Sequence, residues 1–501
     1  MADQLLGVAT TTWELLLGGA LHLTLFLLVA LDILRRRREP TAATAWLLFT
    51  WFLPFAGALL YLMIGHNRLP RKALRKQERD RALVAERRAR EEADLEMAYW
   101  RAVRETRACE PPTAAGATLN RALDGIVEDF PLLGGNAIRL LVDGDEAYGP
   151  MLAAIEAAEQ HIHLQSFILG ADATGRRFMD ALAARARAGV TVRVLYDRFG
   201  STGAVLRRFF HRYRGIPNLE IAGWTQSNLL KRQFAINLRN HRKLLVVDGL
   251  RAFTGGLNLH DGHLSHGARL AIRDYHFEVR GPVVQELQFA FLQDWHFITD
   301  EPAERFLRQD CFPHQPVAGG ARIRALHGAP VAGDDVLGEL FFQAILAARQ
   351  RLWAATPYFA PPPDLLHALR AAARRGVEVR LILPRVNNHL YAGYAGRAHY
   401  EELLAAGVRI FERLPPFFHA KALIADDTVA LVGTANLDMR SLRLNYESVL
   451  AVYDVAFIAS LAAALVQEQA HSQEVALAAW RRRPLFQQVA ENACHLFTPI
   501  L

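Results

Sequence analysis

The chain has 501 residues, of which 51% are hydrophobic and 22% are charged, and its formal net charge is +7. This length is enough for two or three domains, and the positive charge favours an anionic partner, either nucleic acid or an acidic lipid surface. Three cysteines, Cys109, Cys311 and Cys494, lie far apart in the sequence and lack metal-ligand spacing. The composition therefore excludes a disulfide-stabilised scaffold.

Two apolar segments lie near the start of the chain, at residues 15–34 and 42–65. Each has about 20 residues or more, which as a helix is long enough to cross the roughly 30 Å hydrocarbon core of a bilayer. The preceding MADQ lacks the positive region of a cleaved signal peptide. We therefore predict that residues 1–66 form a membrane anchor of two helices, the second kinked at Pro54.

Basic residues follow both apolar segments, with four arginines at 35–38 and seven lysines or arginines between 68 and 81. In a full hairpin these clusters lie on opposite sides of the membrane, whereas a shallow re-entrant hairpin kinked at Pro54 places them on one side. Because the larger cluster follows the second segment, we predict a multi-pass protein of the inner (plasma) membrane with the remaining chain in the cytoplasm.

Residues 67–117 are dense in charge, basic at first and mixed later, and the prolines at 111–112 mark a boundary. This pattern predicts a solvated juxtamembrane helix and a linker. A second interpretation stays open, in which the basic start binds anionic headgroups.

The rest of the chain carries an internal duplication. Residues 157–197 and 347–384 share an order of buried strand, amphipathic helix and second strand. The offset between matching landmarks changes only from 190 to 178 residues along the two copies. We therefore predict an α/β protein with two duplicated halves, residues 118–315 and 316–501, each built on a mixed sheet.

Each half carries the same pattern: His-x-Lys, an Asp five residues after the Lys, then Gly and Asn seven and ten residues after the Asp. The two sets are His241, Lys243, Asp248, Gly255, Asn258 and His419, Lys421, Asp426, Gly433, Asn436. Five fixed positions match a random start with a probability on the order of 10⁻⁷. His and Lys share one face of a strand, the Asp falls in a turn where it can bind backbone N–H groups, and the Gly permits close approach of a ligand.

This set of side chains suits transfer at phosphorus. A neutral imidazole can attack a phosphodiester, Lys and Asn can hold the non-bridging oxygens, and a second imidazole can protonate the departing alkoxide. Two copies facing each other supply every part, so we predict neither a cofactor nor a catalytic metal. His161 and His163 share a strand face, but the repeat has Arg351 and Trp353 there, which disfavours a metal site.

The paired H-x-K-x4-D motifs with their G-x-x-N tails resemble the phospholipase D superfamily. The segments 192–201, 272–282 and 433–447 resemble its bacterial cardiolipin synthases, and the resemblance covers nearly the whole chain. It implies a pseudo-twofold active site in which one His forms a phosphatidyl-histidine intermediate and the other transfers the proton. It further implies roles in phosphate binding or in histidine orientation for a larger set: Lys243, Lys421, Asn258, Asn436, Thr434, Gly255 and Gly433 at the phosphate, and Glu278 and Glu447 on His241 and His419.

The function that this resemblance implies is transfer of a phosphatidyl group from one phosphatidylglycerol to another with release of glycerol. We expect phosphatidylglycerol, other anionic phospholipids and the membrane as partners, and no nucleic acid. The resemblance favours His241 as nucleophile and His419 as acid and base, although the symmetric motifs fit either order. Three alternatives stay open: a phospholipase D-type phosphodiesterase, a transferase with another donor or acceptor, and an inactive scaffold. The sequence gives no signal for an oligomeric state.

The last residues, 480–501, combine a basic cluster with apolar positions at Leu485, Val489, Leu496 and Leu501. Most tails of this kind dock on the protein core. A location near the membrane, beside the mouth of the active site, is the second interpretation.

Overall fold

A computed structural model describes residues 2–35, 40–62, 71–93, 95–127, 130–224, 227–228, 233–234, 238–265, 272–330, 335–496 and 498. The chain divides into two compact units, Met1–Leu69 and Pro70–Leu501. Several predicted features lie outside the described residues, namely the arginines at 36–38, the end of the second apolar segment beyond residue 62, Arg68 and Leu501.

The first unit contains three helices, α1 (Ala2–Arg35), α2 (Pro40–Phe52) and α3 (Ala56–Leu60). Among the described residues, one stretch, Leu17–Arg35, is apolar and long enough to cross a membrane. The predicted second membrane helix, and with it the predicted multi-pass topology, is not supported among the described residues, because helix α2 ends at Phe52. Pro54 brings no backbone N–H to the helix, and Phe55 has a φ of 61°. The 13 residues of α2 span only about 20 Å, which is short of a bilayer core.

The second unit begins with the elements of the first half. In chain order these are α4 (Arg71–Ala93), α5 (Leu95–Arg107), α6 (Ala114–Asp124), β1 (Leu133–Val142), α7 (Asp143–Glu156), β2 (His161–Ser166), α8 (Ala173–Arg187), β3 (Thr191–Asp197), α9 (Thr202–Leu206), β4 (Leu219–Trp224), β5 (Ser227–Asn228), β6 (Gln233–Phe234), β7 (Arg239–Asn240), β8 (Leu244–Val247), β9 (Arg251–Gly255), β10 (Ile272–Arg273), β11 (Tyr275–Arg280) and α10 (Val283–Thr299).

The second half follows without a break in the described chain between α10 and its first strand. Its elements are β12 (Ala321–Gly328), α11 (Val336–Ala347), β13 (Arg351–Ala355), β14 (Phe359–Ala360), α12 (Pro363–Arg374), β15 (Glu378–Pro384), α13 (Leu390–Arg397), α14 (Tyr400–Ala405), β16 (Arg409–Arg413), β17 (Phe417–Phe418), β18 (Ala422–Ala425), β19 (Val429–Gly433), β20 (Leu437–Asp438), α15 (Met439–Arg443), β21 (Asn445–Tyr453), α16 (Val455–Ala470), β22 (Ser472–Glu474), α17 (Leu477–Arg481) and α18 (Leu485–His495).

One mixed sheet joins the two halves. From the centre outward the first half runs β1, β11, β9, β8, β2, β3, β4, and the second runs β12, β21, β19, β18, β13, β15, β16, with β22 at its edge. The two orders mirror each other about the antiparallel pair β1 and β12. Strands β2, β3 and β4 are parallel, as are β13, β15 and β16. The predicted duplication around a pseudo-twofold axis is confirmed.

One face of the charged helix α4 packs into the interior of the second unit. Lys76 and Arg87 on this helix are 1% and 0% exposed. The Arg87 guanidinium lies 4.8 Å from the Trp100 ring centre and 4.5 Å from that of Phe289 on α10. The prediction of a solvated helix at residues 67–117 is therefore wrong for the buried face of α4, which carries charged side chains into the core.

Candidate active site

Each motif histidine, His241 or His419, follows a short strand that pairs with the opposite half. Strand β7 is parallel to the start of β21, and the His241 backbone N–H donates to the Tyr446 carbonyl at 2.9 Å. In the same way β17 is parallel to β10, and the His419 N–H donates to the Arg273 carbonyl at 2.7 Å. Each histidine is therefore hydrogen-bonded to the residue that directly precedes a carboxylate of the other half, Glu447 or Asp274.

The two carboxylates contact the histidines across the halves. Nδ1 of His241 lies 3.0 Å from the Glu447 carboxylate, and Nδ1 of His419 lies 2.6 Å from Asp274. A carboxylate on Nδ1 fixes the tautomer that leaves Nε2 available for chemistry and stabilises the imidazolium. Glu447 therefore lies where an orienting carboxylate belongs, but on His241 of the opposite half, and the predicted pairing of Glu447 with His419 is wrong.

Glu278 has a different place from the predicted one. Among the described residues its carboxylate pairs with the guanidinium groups of Arg139, Arg251 and Arg280, and Asp274 takes the position beside His419. Glu278 lies four residues further along the strand, about 13 Å at 3.3 Å per residue. The sequence held a signal for Asp274: the alternation in DYHFEV at 274–279 aligns with ESVLAV at 447–452, which matches Asp274 to Glu447.

The two lysines lie beside the histidines that they follow. Lys243 Nζ donates to the His241 carbonyl at 2.8 Å, and Lys421 Nζ lies 2.9 Å from Nδ1 of His419. Burial lowers the pKa of Lys243 to about 7 and that of Lys421 to about 8. An anion that enters the site restores the charged form, since it replaces the lost hydration.

Burial also lowers the pKa of both histidines below the ordinary value. For His419 the nearby charges of Lys421, Lys243 and His241 add to this lowering. Because charges of each histidine–lysine pair shift the pKa of the histidine in the other pair, the two pairs lie close enough to interact electrostatically. Both imidazoles are therefore neutral near pH 7, as a nucleophile requires.

The two carboxylates differ in their titration. Burial would raise the pKa of Glu447, but the His241 and Lys243 charges and a Thr434 hydrogen bond lower it below the ordinary value. Burial raises the pKa of Asp274, despite the charge of Lys421. His241 thus has the more strongly ionised partner.

Thr434 acts on a carboxylate. Its Oγ1 donates to Glu447 at 2.6 Å, so it holds the group that orients His241. The matching residue of the first half is Gly256, where a Cβ would lie 2.0 Å from the Asp274 carboxylate. The Asp274 carboxylate leaves no room for a side chain at position 256, whereas the Glu447 carboxylate lies at hydrogen-bond distance from a hydroxyl at position 434.

The two predicted phosphate-binding asparagines, Asn258 and Asn436, are both buried. Oδ1 of Asn258 accepts from the Ile168 backbone N–H at 3.0 Å, which turns its amide donor the opposite way. Asn436 hydrogen-bonds to the buried Asp438. The Phe167 ring centre lies 4.9 Å from that of His241, and the Tyr358 ring centre, whose match in the repeat is Ile168, lies 6.1 Å from that of His419. Neither ring was among the predicted site residues.

The conserved spacing also includes residues that stabilise the sheet. A Cβ on Gly255 would lie 2.7 Å from the Tyr275 carbonyl, and one on Gly433 would lie 2.2 Å from the Ser448 carbonyl. Their φ angles are 144° and 153°. These glycines therefore accommodate the neighbouring strand, which differs from the predicted approach of a ligand.

Asp248 and Asp426 bind backbone N–H groups, which is the first of the two roles that their turn positions allowed. Asp248 accepts from residues 159, 160 and 161 at 2.8 to 2.9 Å, and Asp426 from residues 349, 350 and 351 at 2.8 Å. Each lies beyond the end of β8 or β18 that is remote from the lysine. Their contribution is to fix the strands, not to contact the reacting atoms.

A second buried network, of hydrogen bonds and ion pairs, holds the residues on either side of His241. Asp294 on α10 accepts from the side chains of Asn240 at 2.7 Å and Arg242 at 2.9 Å. Its other oxygen lies 3.0 Å from Lys76 Nζ. The residues on both sides of His241 are thereby tied to α4.

Among the described residues, His161, His163 and Cys311 form a group whose possible metal-ligand atoms all lie within 4.8 Å of one another. His163 contacts Gln288 at 3.0 Å and the Arg193 guanidinium at 3.1 Å. A cation beside this imidazole disfavours a second cation, and the group lies outside the histidine–lysine site.

Comparison with known proteins agrees with this site. A family model described as cardiolipin synthase, PLD-like domain matches residues 151–295 and 341–468, one segment in each half. A second model, described as phospholipase D-nuclease N-terminal, matches residues 24–66. The chain belongs to the phospholipase D-like cardiolipin synthase family.

Relatives match along their whole length. The chain is 32% identical to a cardiolipin synthase of Alkalihalophilus pseudofirmus, over 94% of this chain and 92% of the relative. It is 31% identical to one of Geobacillus kaustophilus, over 100% and 98%, and 30% identical to the major cardiolipin synthase of Bacillus subtilis, over 95% and 97%. A phosphatidylserine synthase structure from Haemophilus influenzae has 17% identity and a TM-score of 0.60, and covers 77% of this chain and 100% of its own. That likeness concerns the fold.

Proposed function

We propose that this protein is a phosphatidyltransferase that synthesises cardiolipin from two molecules of phosphatidylglycerol and releases glycerol. The observation that carries the proposal is the doubled histidine site, in which each imidazole has a carboxylate from the opposite half. Full-length similarity to cardiolipin synthases supports the choice of substrate.

In the first step, Nε2 of His241 attacks phosphorus, and the bond from phosphorus to the glycerol oxygen breaks. The His419–Asp274 pair enters this step with a proton on the carboxyl, whose pKa is raised by burial. His419 gives its Nε2 proton to the glycerol oxygen and takes the Asp274 proton on Nδ1, so that glycerol leaves neutral and a phosphatidyl group stays on His241. Lys243 and Lys421, with Asn258 and Asn436, hold the non-bridging oxygens while charge builds up on them.

In the second step, a hydroxyl of another phosphatidylglycerol attacks the same phosphorus. His419 removes its proton, the bond from phosphorus to Nε2 breaks, and neutral His241 is regenerated together with cardiolipin. The more strongly ionised Glu447 beside His241 supports its role as nucleophile, because a carboxylate stabilises the positive ring that forms on attack.

The proposed partners are phosphatidylglycerol, other anionic phospholipids and the inner (plasma) membrane. The apolar stretch Leu17–Arg35 supports a membrane anchor, and exposed basic residues on α4, such as Arg75 and Arg79, support a cytoplasmic catalytic unit.

The test is incubation of the purified full chain with phosphatidylglycerol in detergent and a metal chelator. We expect cardiolipin and glycerol in equal amounts, and neither product from the His241→Ala variant. Phosphatidic acid as the main lipid product would show that water is the acceptor and would replace this proposal by a phosphodiesterase. Loss of activity on adding chelator would contradict a mechanism that relies on His and Lys alone.

A further inference from the structure

The C-terminal helix α18 has its polar side facing the protein and its apolar side facing outward. Glu491 is 0% exposed and accepts from Arg483 and Gln487, both at 2.9 Å. On the outer side Leu485 is 74% exposed, Phe486 is 77% exposed and Val489 is 59% exposed. A helix that faces water has the reverse arrangement, so this face fits an apolar environment.

The apolar face continues onto the neighbouring helix α13. The His495 ring of α18 lies 4.6 Å from that of His399, just beyond α13, and the two helices pack together. The first two residues of α13, Leu390 and Tyr391, are also exposed. We call the exposed side chains of both helices the outer apolar face: Leu390, Tyr391, Leu485, Phe486, Val489 and Leu496.

This face extends to the edge of the active site. A series of neighbouring rings runs from Tyr391 to His389, with centres 5.7 Å apart, then to Tyr358 at 5.8 Å and to the catalytic His419 at 6.1 Å. A lipid that reaches His419 along this side therefore passes the outer apolar face.

Positive charge adjoins the same face. Arg481 and Arg482, directly before α18, are exposed, and Arg481 pairs with the surface residue Glu401 at 3.1 Å. Apolar side chains with neighbouring arginines suit the boundary between anionic headgroups and acyl chains. Pairing this face with the same face of a second copy would bring the arginines of both copies together, which disfavours a protein partner.

We propose that the outer apolar face docks the catalytic unit on an anionic bilayer, with Leu485, Phe486 and Val489 inserted at the acyl-chain boundary and Arg481 and Arg482 on lipid phosphates. The identity of the lipid rests on the proposed function. The docking places the mouth of the site at the level where phosphatidylglycerol headgroups lie.

A fluorescent probe at one position tests the insertion. In a background of Cys109→Ala, Cys311→Ala and Cys494→Ala, the full chain carries Phe486→Cys or, as a control, Val455→Cys, each labelled with an environment-sensitive dye. Val455 is 55% exposed and starts α16 at the end of β21 remote from Glu447. The labelled proteins are placed in phosphatidylglycerol vesicles that contain lipids with a nitroxide on the acyl chain.

We expect the nitroxide lipids to quench the dye at 486 and aqueous iodide to quench mainly the dye at 455. Equal quenching by iodide at both positions would overturn the proposal. Protection from iodide without nitroxide quenching would overturn it too, since another protein surface, such as a second copy, would then cover the face. This readout needs no turnover, so a failure to make cardiolipin would refute the proposed function and leave the docking result intact.

An activity measurement gives a second test. Phe486→Asp should lower the rate on phosphatidylglycerol in vesicles by about tenfold, because an aspartate opposes insertion, and should leave the rate on detergent-dispersed substrate nearly unchanged. Val455→Asp should change neither rate. An unchanged vesicle rate for Phe486→Asp would contradict the proposal.

Discussion

The acid beside each histidine comes from the other half of the chain, and this exchange determines the chemistry at the level of single residues. Glu447 orients His241 and Asp274 orients His419. A half of the molecule that folded alone would therefore hold a histidine without its carboxylate. The different acids also make the two histidines unequal, which a symmetric pair of motifs does not reveal.

Asp274→Asn is predicted to lower kcat by about 10³-fold, because an amide beside Nδ1 neither stabilises the imidazolium nor enforces its tautomer. Glu278→Gln is the matched control, since the Glu278 carboxylate pairs with Arg139, Arg251 and Arg280 and with neither histidine. Steady-state rates with phosphatidylglycerol in detergent measure both. A large loss in Glu278→Gln together with a small one in Asp274→Asn would reverse the assignment.

The pH dependence of kcat/KM, which reports on the free enzyme, should differ from that of kcat, which reports on the enzyme–substrate complex. Since burial lowers the pKa of Lys243 to about 7 and of Lys421 to about 8, the charge that binds phosphate is lost as pH rises through this range. The value of kcat/KM should fall there, while kcat should fall only at higher pH because the bound anion restores the lysine charge. The acid limb should lie below 6.5, since burial lowers the pKa of His241 from that value.

Initial rates across the pH range check this prediction, with Lys243→Arg as the comparison. A guanidinium keeps its charge, so the alkaline limb of kcat/KM should move upward in that variant. Alkaline limbs at the same pH for kcat and kcat/KM would contradict the account.

The His and Lys residues of the candidate site could be selected from the sequence because their spacing is local and occurs twice. The turn position of Asp248 also indicated its backbone role. Asp274 could not be chosen from local pattern alone, because the strands that bring it to His419, β10 and β17, are two residues long and pair across the halves. Glu278, the acid of the first half that was predicted to orient a histidine, lies four residues further along the chain.

At the level of elements, helix α4 connects the start of the second unit to the residues on either side of His241. Lys76 contacts Asp294, which in turn holds the side chains of Asn240 and Arg242 on either side of His241. Arg242 and Lys76 lower the pKa of this buried acid to about 2, although burial alone would raise it. Asp294 is therefore ionised at neutral pH.

Lys76→Met is predicted to lower kcat about tenfold with little change in KM, because the His241 segment loses one of its supports. The variant should also lose about 3 kcal/mol of unfolding free energy, since it leaves a buried acid short of a partner. Arg75→Met on the exposed side of the same helix should match the wild type. Equal kcat for both variants, measured with thermal stability, would show that α4 has no part in positioning His241.

The buried strands and amphipathic helices at residues 157–197 and 347–384 followed from apolar periodicity, because each of these elements has its own apolar pattern. The N-terminal region was harder to predict. Residues 42–65 are apolar enough for a membrane helix, but Pro54 divides them, since it removes a hydrogen bond that apolar character cannot replace. For α4 the error was the reverse, since a buried face was predicted to be solvated. The charged composition of α4 is that of a solvated helix, and only the tertiary partners of Lys76 and Arg87 show that these side chains are buried.

At the level of the whole molecule, the mirrored strand order places one complete site between two halves of a single chain. Co-expression of His241→Ala with His419→Ala should therefore fail to restore cardiolipin synthesis, because each copy lacks one imidazole of its own site. Differently tagged copies, purified together, provide the sample. Recovery of activity would mean that two copies complete a site between them.

The measurement that tests the central claim most directly is the position of the covalent intermediate. Rapid quenching during turnover of phosphatidylglycerol, followed by proteolysis under alkaline conditions and mass spectrometry, should find a phosphatidyl group on Nε2 of His241, and His419→Ala should prevent its transfer to the acceptor. An adduct on His419, or continued turnover of an enzyme whose His241 is replaced by alanine, would contradict the account.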